Sequence, residues 1–366
     1  MPASPAWLAH LQRLTDPRGL LRSAVGDCPD RFSGYDTVDN AEGLRLCALA
    51  SDSLDHGRLP ILAKTCFGYL SRGQRQDFGV YPRCDATGAW FDDGRDDAVV
   101  QSRVARALAA VTRSRLPAPI RAAAAEWWTL LLEEHGDTAW TPVAVGNWLV
   151  AIESRGERDP AGGLDLVESM AHWLVEDCYY AVRAEGWEWA EAQWTPGAAV
   201  IPHGLWCAYR LTGENRLARV AETMTQFLTR ALIRRDMLHP VGTRGGWLPG
   251  RDPAAFDQTP AEVASMVELL CAAERISGQE NYGRQAGLSA EWFRGRNAAG
   301  APMVDPETGG CRDLLTPTGP SPHQGASACL AFLITQLALA RRPAVASEPG
   351  TALHPEPSAA PAEEEA

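Results

Sequence analysis

The stretch TPAEVASMVELLCAAERISGQENYGRQAGLSAEWFRGR, residues 259–296, contains the repeating unit from which the fold can be worked out. Thr259, Pro260 and Glu262 form a capping box with proline at the first helical position, so a helix is expected to begin there. Apolar residues recur with a helical period on both sides of the turn Ser277-Gly278-Gln279. A short glycine-containing separator of this kind ties two antiparallel helices at one end. The stretch therefore predicts a helical hairpin.

The same helix-period pattern extends in both directions along the chain. Strands and helices do not alternate, which disfavours a doubly wound sheet and a TIM barrel. Only short β pieces are expected, at residues 80–83 and 301–304. The predicted helices cover residues 5–15, 39–55, 58–72, 97–114, 117–135, 141–155, 163–184, 199–212, 214–233, 260–278, 280–296 and 322–342.

Short separators between these helices alternate with long ones rich in Gly, Asp, Trp and Pro. Twelve helices that pair into six hairpins, with the long loops collected on one face, are typical of an all-α (α/α)6 toroid of the six-hairpin glycosidase-like class. Long loops in a compact domain are usually functional, so the polar chemistry is expected in the loops and the helices are expected to be scaffold. The long loops are residues 73–96, 185–198, 234–259 and 297–321.

The charge and cysteine content narrow the possible partners and location. The 366-residue chain has a formal net charge of −12, which disfavours binding to nucleic acid and to an anionic membrane surface. No apolar stretch is long enough to cross a membrane, and the first residues lack the regions of a secretory signal. Nine cysteines without a CxxC pair are typical of a reducing compartment, so the cytoplasm is the expected location.

Neither a metal nor a cofactor is expected. The eight histidines show no metal-ligand spacing, and no glycine-rich nucleotide-binding motif occurs. From about Arg342 the sequence is rich in Pro, Ala and Glu and poor in large apolar groups, so it cannot bury enough surface to order itself. We therefore expect one toroid domain over residues 1–342 and a disordered tail over residues 343–366. The sequence does not indicate the oligomeric state.

Two acidic loop segments contain most of the candidate catalytic groups. Residues 92–97 crowd four carboxylates together, and such crowding raises carboxyl pKa values, which suits acid/base chemistry. Residues 186–194 place carboxylates among tryptophans, an arrangement common in sugar binding. The alternatives are a solvated capping loop and a helix end with inward-packed tryptophans. A glycosidase needs two carboxyl groups across the scissile bond, and the candidates are Asp97, Glu188, Glu191 and Asp257.

Further polar and aromatic residues in the loops and at helix starts are candidates for binding the substrate. Asp39 and Asn40 lie at the start of one predicted helix, and His323 and Gln324 at the start of another, although a helix cap or a surface position is the alternative for each. The full set is Asp39, Asn40, Trp90, Asp96, Trp187, Trp189, Trp247, Gln258, Asn297, Asp313, His323 and Gln324.

Several segments occur in an order that resembles a known bacterial family. Together they resemble the six-hairpin (α/α)6 toroid proteins usually described as glycosyltransferases, which are often encoded beside mannoside phosphorylases or glycosyltransferases. The resemblance covers nearly the whole chain to about residue 341 and is strongest over residues 245–333. It implies a toroid that acts on a saccharide. The segments are residues 39–41, 94–97, 187–191, 256–262, 292–297, 308–313 and 323–326.

The chain departs from this family's pattern in its N-terminal half. Val38 stands where the family has a second Asp before Asp39-Asn40, and Glu42 stands in place of an Arg. Residues 96–101 read DDAVVQ, which lacks the family's His and Arg, and residues 196–199 read PGAA in place of Tyr-Asp-Asn-Ala. A diverged member is therefore expected, with a different substrate, a different reaction or lost catalysis.

The leading hypothesis is a carbohydrate-active enzyme, of glycoside-hydrolysing or glycosyl-transferring type, that acts on a glycosidic substrate by carboxylate acid/base catalysis. One alternative is a sugar isomerase or epimerase, for which His203 and His323 form the available histidine pair. Another is a toroidal cyclase or lyase for a more apolar substrate, with residues 92–97 as a loose acidic motif. The last is a catalytically inactive sugar-binding protein.

Asp97→Asn and Glu191→Gln are each expected to abolish turnover of the saccharide substrate, because each removes a candidate proton-transferring carboxyl group. Turnover by the purified variants, with circular dichroism to verify the fold, measures this. Full turnover in both variants would contradict the assignment.

Overall fold

The structure is a computed structural model that describes residues 5–52, 59–91, 97–136, 140–156 and 163–342. A π-helical turn at Leu174–Tyr179 joins α7 to α8, and a 3-10 turn at Glu291–Arg294 follows α12. The α-helices are α1 (Pro5–Leu14), α2 (Thr37–Ala50), α3 (Leu59–Arg72), α4 (Asp97–Thr112), α5 (Ala118–His135), α6 (Pro142–Arg155), α7 (Gly163–Trp173), α8 (Tyr180–Val182), α9 (Val200–Thr212), α10 (Asn215–Leu232), α11 (Pro260–Ser277), α12 (Glu280–Ala290) and α13 (Ala326–Ala340).

Six of these helices form a closed inner ring. Helices α2, α4, α6, α9, α11 and α13 each pack against the next, and α13 packs against α2 to close the ring. The outer layer consists of α3, α5, α7, α10 and α12, each against its inner partner, with α1 against α13. Inner and outer helices alternate along the chain, so all six inner helices begin at the same end of the ring. The predicted all-α (α/α)6 toroid is confirmed.

Capping residues explain where several helices begin. Thr259 accepts a hydrogen bond from the Glu262 amide and Pro260 is the first helical residue, as the quoted stretch predicts. The Glu262 carboxylate does not complete the capping box, because its Oε1 accepts from the Gly197 amide at 2.6 Å. Helix α2 is capped by Asp36, whose carboxylate accepts from the Val38 amide at 2.9 Å.

One boundary difference lies at the start of α13, which the sequence predicts at residue 322 and which begins at Ala326. Gln324 instead continues an extended segment, with its amide donating to the Ala24 carbonyl at 3.0 Å. Gly325 remains extended at ψ 175° as the helix cap. The hydrogen bond to the N-terminal segment thus takes up the Gln324 amide, which a helix beginning at residue 322 would contain. The predicted tail at residues 343–366 lies outside the described residues.

Short antiparallel strands form four small sheets in the loops of the described chain. The three-stranded sheet pairs Tyr35 with Cys84, and Cys84 with Trp90. Of the two β pieces predicted, Arg83 lies in a strand and Val304 forms an isolated bridge with Cys311. The strands are β1 (Ala24–Val25), β2 (Cys28–Pro29), β3 (Tyr35–Asp36), β4 (Arg83–Cys84), β5 (Trp90–Phe91), β6 (Ile233–Arg234), β7 (Met237–Leu238), β8 (Leu315–Thr316) and β9 (Gly319–Pro320).

The inner helices are buried over most of their surface because they contact neighbours on both sides and the outer layer behind. In α13, for example, the run from Ala328 to Thr335 is buried throughout. A helix that is apolar all round is the expected sequence for such a position. Among the described residues, no helix combines the length and the apolar character that crossing a bilayer requires.

Two glycines allow α6 and α9 to cross at close range. A Cβ atom on Gly146 would lie 2.7 Å from the carbonyl oxygen of Val200, and one on Gly204 would lie 2.8 Å from the Cα of Gly146. These contacts are with backbone atoms, which cannot rotate away. The close approach of the two inner helices therefore requires glycine, which has no Cβ atom, at both positions.

Gly146→Ala is expected to lower the free energy of unfolding by about 1–3 kcal/mol, because the added methyl group overpacks the α6–α9 crossing. The matched control is Gly287→Ala in α12, where an added Cβ meets nothing within 4 Å. There alanine is expected to stabilise the protein by about 0.5–1 kcal/mol. Urea denaturation measures both, and equal effects would contradict the packing account.

Candidate functional site

The inner ring encloses a cavity of about 110 Å³. We call it the funnel cavity. Its lining comes from four of the six inner helices and includes the N-terminal residues of α2, α11 and α13, so it lies toward the loop-bearing end of the ring. The lining residues are Val38, Asp39, Glu42, Arg45, Arg103, Arg106, Ala261, Ala264, Ser265, Glu268, Ser327, Leu330, Ala331 and Ile334.

The two sides of the funnel cavity differ in chemistry. Helices α2 and α4 contribute acidic residues and arginines, whereas α13 contributes Leu330, Ala331 and Ile334. None of the lining residues within the described chain is aromatic. The cavity is therefore charged on one side and aliphatic on the other.

A buried ion network crosses the ring at Glu268. Arg45 donates to both Glu268 oxygens, at 2.6 and 3.2 Å, and to Glu42 at 2.6 Å. Arg103 reaches the other Glu42 oxygen at 3.1 Å. Because burying a charge costs several kcal/mol unless it is paired, these contacts are what permits charged groups at the centre of the ring.

Arg106 is the least satisfied member of this network. Its Nη2 lies 3.3 and 3.4 Å from the two Glu268 oxygens, longer than the contacts of Arg45. Its Nη1 donates to the Asn147 side chain at 3.1 Å. Its Nε is buried and has no hydrogen-bond partner. Such an unpaired buried donor is uncommon in folded proteins and costs about 1–3 kcal/mol.

The arginines keep the two network carboxylates ionised. Burial would raise the pKa of Glu42, but the charges of Arg45 and Arg103 outweigh that effect and hold the pKa below its ordinary value. Burial likewise opposes ionisation of Glu268, and the nearby guanidinium groups again hold its pKa well below the ordinary range. Burial, together with the charge of Arg45, lowers the pKa of Arg106 to about 10.

Asp39 lies one helical turn before Glu42 and has the opposite character. It is 8% exposed, and it forms no ion pair among the described residues. Burial raises its pKa well above the ordinary value, and the neighbouring carboxyl groups of Asp36 and Asp313 raise it further. Asp39 is therefore the carboxyl group of the funnel cavity whose surroundings favour the protonated form.

A second depression, of about 150 Å³, lies on the other side of Glu268, toward the C-terminal ends of α11 and α13. His203 lines it together with Arg275 and Arg341. Burial and the charge of Arg106 lower the pKa of His203 to about 3, so its imidazole is neutral. His203 and the funnel cavity thus share one wall residue, Glu268.

Of the sequence-predicted residues, only Asp39 lines the funnel cavity. Four predicted amide side chains instead form hydrogen bonds to the backbone and side chains of the loops and helix starts. Asn40 accepts from the Leu20 amide and donates to the Asp36 carbonyl, both at 2.9 Å. Gln258 donates to the Ala255 carbonyl and accepts from the Trp292 indole.

Asn297 and Gln324 play comparable roles in the loops before α13. The Asn297 amide donates to the carbonyls of Trp292 and Ala301, at 2.9 and 2.7 Å. The Gln324 amide donates to Asp305 and accepts from the Thr308 hydroxyl. These contacts use both ends of each side-chain amide, which fixes the loop conformation.

The predicted sugar-stacking tryptophans form an aromatic cluster in the core. Trp187, Trp189 and Trp247 are 1%, 0% and 6% exposed and pack with Trp194 and Phe227. The nearly parallel rings of Phe227 and Trp247 lie 5.1 Å apart. Phe227 comes from the outer helix α10, and the loop tryptophans cover it. Their rings stabilise the fold and leave no face open to the funnel cavity.

Trp90 belongs to a different part of the surface. Its ring stacks on Tyr81 at 6.1 Å and contacts Tyr69 at 5.0 Å. With Arg18 and Arg72 it lines a separate depression beside the three-stranded sheet. Trp90 is therefore not brought together with the other candidates.

The four predicted catalytic carboxylates do not line the funnel cavity, and each has partners of its own. Asp97 is held by Arg75 through two contacts of 2.8 and 3.2 Å. Asp257 pairs with Arg244 at 3.1 Å.

Glu188 and Glu191 lie in the loop before α9. Glu188 accepts from the Tyr179 hydroxyl at 2.6 Å, and Glu191 accepts from the Trp189 indole at 3.3 Å. Burial raises the pKa of Glu191. Asp97, Glu188, Glu191 and Asp257 are all absent from the cavity lining.

Asp313 lies near the cavity mouth, where its carboxylate accepts from the Gly325 amide at 2.6 Å. Burial raises its pKa, and its charge also raises the pKa of Asp39. His323 is exposed. Asp96 and most of the acidic run before Asp97 lie outside the described residues. Among the residues that are described, no three His, Cys, Asp or Glu side chains gather in a way that could hold a metal ion.

The expectation that the polar chemistry is confined to the loops was wrong, because the ion network lies on the inner helices. A signal was present in the sequence. Glu42 and Arg45 lie three residues apart in α2, and Arg103 and Arg106 lie three residues apart in α4. Most other residues of these two helices are small or apolar. Charged residues on a helix buried on all sides have to be paired, and they mark the interior of the ring.

No known family model and no curated protein matches the sequence of this chain. Several solved structures share its fold. A sugar epimerase from a ruminal bacterium superposes with a TM-score of 0.71 at 12% identity, over 93% of this chain and 97% of that one. D-mannose isomerase gives 0.66 at 15% identity, over 92% and 98%. An α-1,6-mannanase from Salegentibacter sp. HEL1_6 gives 0.64 at 14% identity, over 92% and 98%. At such identities the likeness is one of fold.

Glu268→Gln is expected to lower the free energy of unfolding by about 3–5 kcal/mol, because it leaves the buried Arg45 and Arg106 without their shared carboxylate. Asp52→Asn is the control, since it breaks an exposed pair with Arg115 at 2.6 Å. Loss of such a surface pair costs less than about 1 kcal/mol. Urea denaturation measures both, and an unchanged midpoint for Glu268→Gln would refute the role of the network.

Proposed function

We propose that this protein is a saccharide-converting enzyme whose reaction takes place in the funnel cavity by acid/base catalysis with carboxyl groups. The observation that carries the proposal is the opposite shift of two carboxyl pKa values on one helix face. The pKa of Asp39 is raised and that of Glu42 is lowered, and both side chains line the cavity. Carboxyl pairs whose environments separate their pKa values are typical of acid/base sites.

In this proposal Asp39 is the acid. On a glycosidic substrate, its proton passes to the leaving oxygen as the glycosidic bond breaks. The Glu42 carboxylate, held ionised by Arg45 and Arg103, orients the attacking water and stabilises positive charge that develops on the sugar. As the water oxygen bonds to the anomeric carbon, the water loses a proton, and transfer of that proton to the Asp39 carboxylate restores the starting state.

The fold supports a saccharide as the substrate. The solved structures that share the ring include a sugar epimerase, a mannose isomerase and an α-1,6-mannanase, and an inactive variant of that mannanase was solved with α-1,6-mannotetrose. Because fold alone does not fix function, the argument for this chain rests on the residues of its own cavity.

A second candidate reaction is isomerisation or epimerisation of a sugar. The observation that favours it is the neutral imidazole of His203, which shares Glu268 with the funnel cavity. These reactions take a proton from the carbon beside a carbonyl group and return it, which a neutral imidazole can do. In this alternative Asp39 protonates the carbonyl oxygen.

Asp39→Asn is expected to reduce turnover at least about 100-fold, since general acid catalysis contributes about 10²–10⁴-fold. The substrates are a panel of disaccharides and aldoses, with the products analysed by NMR. Free reducing sugar indicates bond cleavage, and a ketose or a 2-epimer indicates the second reaction. Asp97→Asn and Glu191→Gln, for which the sequence alone predicts a loss of turnover, are the matched variants, and under this proposal they are expected to keep turnover because neither residue lines the cavity. Loss of turnover in those two, with normal turnover in Asp39→Asn, would refute this assignment and favour the loop carboxylates.

The pH dependence gives a further test. Because Asp39 has to be protonated, activity is expected to fall as the pH rises through its raised pKa. Because Glu42 has to be ionised, activity is also expected to fall below its lowered pKa, at a pH under 4.5. An activity that is flat across the neutral range and into the alkaline range would contradict the role of Asp39.

Asp39→Asn is also expected to stabilise the protein at pH 7. The raised folded-state pKa means that protonated Asp39 contributes stability below its ordinary pKa of 3.8, and this contribution is lost as the pH rises through the folded-state value. An asparagine does not titrate, so the gain in melting temperature, roughly 1–3 °C, should vanish near pH 3.8. A variant less stable than the parent at pH 7 would show that the carboxyl group is structurally required.

A further inference from the structure

We propose that the saccharide bound in the funnel cavity carries an anionic group, a carboxylate or a phosphate, which is held by Arg106 and Arg103. This inference rests on the proposed function for the saccharide part, and it adds the chemical class of the substrate. It comes from the charges and contacts of the cavity wall.

The wall has more guanidinium groups than carboxylates that pair with them. Three guanidinium groups, those of Arg45, Arg103 and Arg106, line the cavity. Two carboxylates of the network, Glu42 and Glu268, pair with them. The third acidic residue of the lining, Asp39, contacts none of the arginines through an ion pair within the described chain. Three guanidinium groups therefore share two carboxylates, so one of the three positive charges is not balanced by a carboxylate of the network, and incompletely paired buried charge is costly.

The unmatched charge is centred on Arg106. Its contacts to Glu268 are the longest in the network, at 3.3 and 3.4 Å, and Glu268 is already held by Arg45 at 2.6 Å. Its Nε lacks a partner although the residue is only 4% exposed. An oxyanion in the cavity would supply a further acceptor for this guanidinium group, which lines it. Guanidinium groups are well suited to this because their planar donors match the geometry of carboxylates and phosphates.

The position of the cavity adds to the attraction. Residues from the first turns of α2, α11 and α13 line it, namely Val38, Ala261 and Ser327. The N-terminus of an α-helix carries a partial positive charge of about half an elementary charge. Several such termini around one cavity favour a negative group near its mouth, in addition to the arginines.

The size and the aliphatic side of the cavity limit the rest of the ligand. A volume of about 110 Å³ is well below the roughly 300–1,000 Å³ of a drug-sized ligand site, so the enclosed part is about one sugar ring. Leu330, Ala331 and Ile334 offer a surface for the C–H face of such a ring. The fitting ligand is a monosaccharide with one anionic group, or the terminal residue of an anionic oligosaccharide.

Isothermal titration calorimetry with the full chain tests this, using glucuronate, mannose 6-phosphate, mannose, glucose and inorganic phosphate. At least one anionic sugar is expected to bind ten or more times more tightly than its neutral parent. Tighter binding of glucuronate identifies the anion as a carboxylate, and tighter binding of mannose 6-phosphate identifies it as a phosphate. Equal binding of the neutral and anionic sugars would overturn the proposal. Inorganic phosphate binding as tightly as the sugar phosphate would overturn it as well, because the sugar would then contribute nothing.

Arg106→Gln is expected to weaken binding of the anionic sugar at least tenfold and to leave any weak binding of the neutral parent unchanged. Arg115→Gln is the matched control, since Arg115 is 77% exposed and pairs only at the surface. If Arg106→Gln does not fold, Arg103→Gln replaces it, because Arg103 is partly exposed and has a single network contact at 3.1 Å. Unchanged affinity in the folded variant would overturn the proposal.

Measurements of binding and of turnover can distinguish failure of this inference from failure of the proposed function. Selective binding of an anionic sugar, lost in Arg106→Gln but without turnover in any assay, would support the anion site and sink the catalytic proposal. Turnover of neutral saccharides that depends on Asp39, with no preference for anionic ones, would support catalysis and overturn the anion site.

Discussion

The contact on which the interior of this protein depends is that of Glu268 with Arg45 and Arg106. It joins α2, α4 and α11 across the axis of the ring, so it acts between helices that are not all neighbours. Burying three charges is favourable only while each remains paired, which fixes the positions of all three side chains. A ring with purely apolar inner faces would close on itself. The fixed arginines instead hold one side of a cavity open.

The same network makes the two cavity-lining carboxyl groups of α2 differ in pKa. Asp39 and Glu42 are one turn apart on the same helix face, and both are buried. Arg45 and Arg103 reach Glu42, whereas Asp39 faces other carboxyl groups. The chemical difference between the two residues is therefore a matter of partners and not of burial. An unpaired buried acid is unfavourable for stability, and residues of that kind are expected mainly where function requires them.

The fold could be predicted from the sequence because its signals are local. The cap at Thr259 and the left-handed glycine Gly278 mark the two ends of α11, and the structure has both. The site could not be predicted in the same way, because the residues that form it are far apart in the sequence. Nothing near Trp187 reveals that Phe227 of an outer helix will cover its ring. Likewise, the pairing of Arg45 with Glu268 joins residues 223 positions apart. The sequence alone shows only that charged residues occur in helices that are mostly apolar.

The three solved structures compared above are 12–15% identical to the chain, over more than nine-tenths of its length. Helical period and small-residue crossings such as Gly146 with Gly204 are enough to build the ring, and many sequences satisfy them. The cavity wall is made by only a few inward-facing positions on those helices. Substitution of the residues at these positions changes the charge and shape of the cavity, while the packing between the helices stays the same. A ring with three arginines on one side and aliphatic residues on the other can thus serve a different substrate from its neighbours of the same fold.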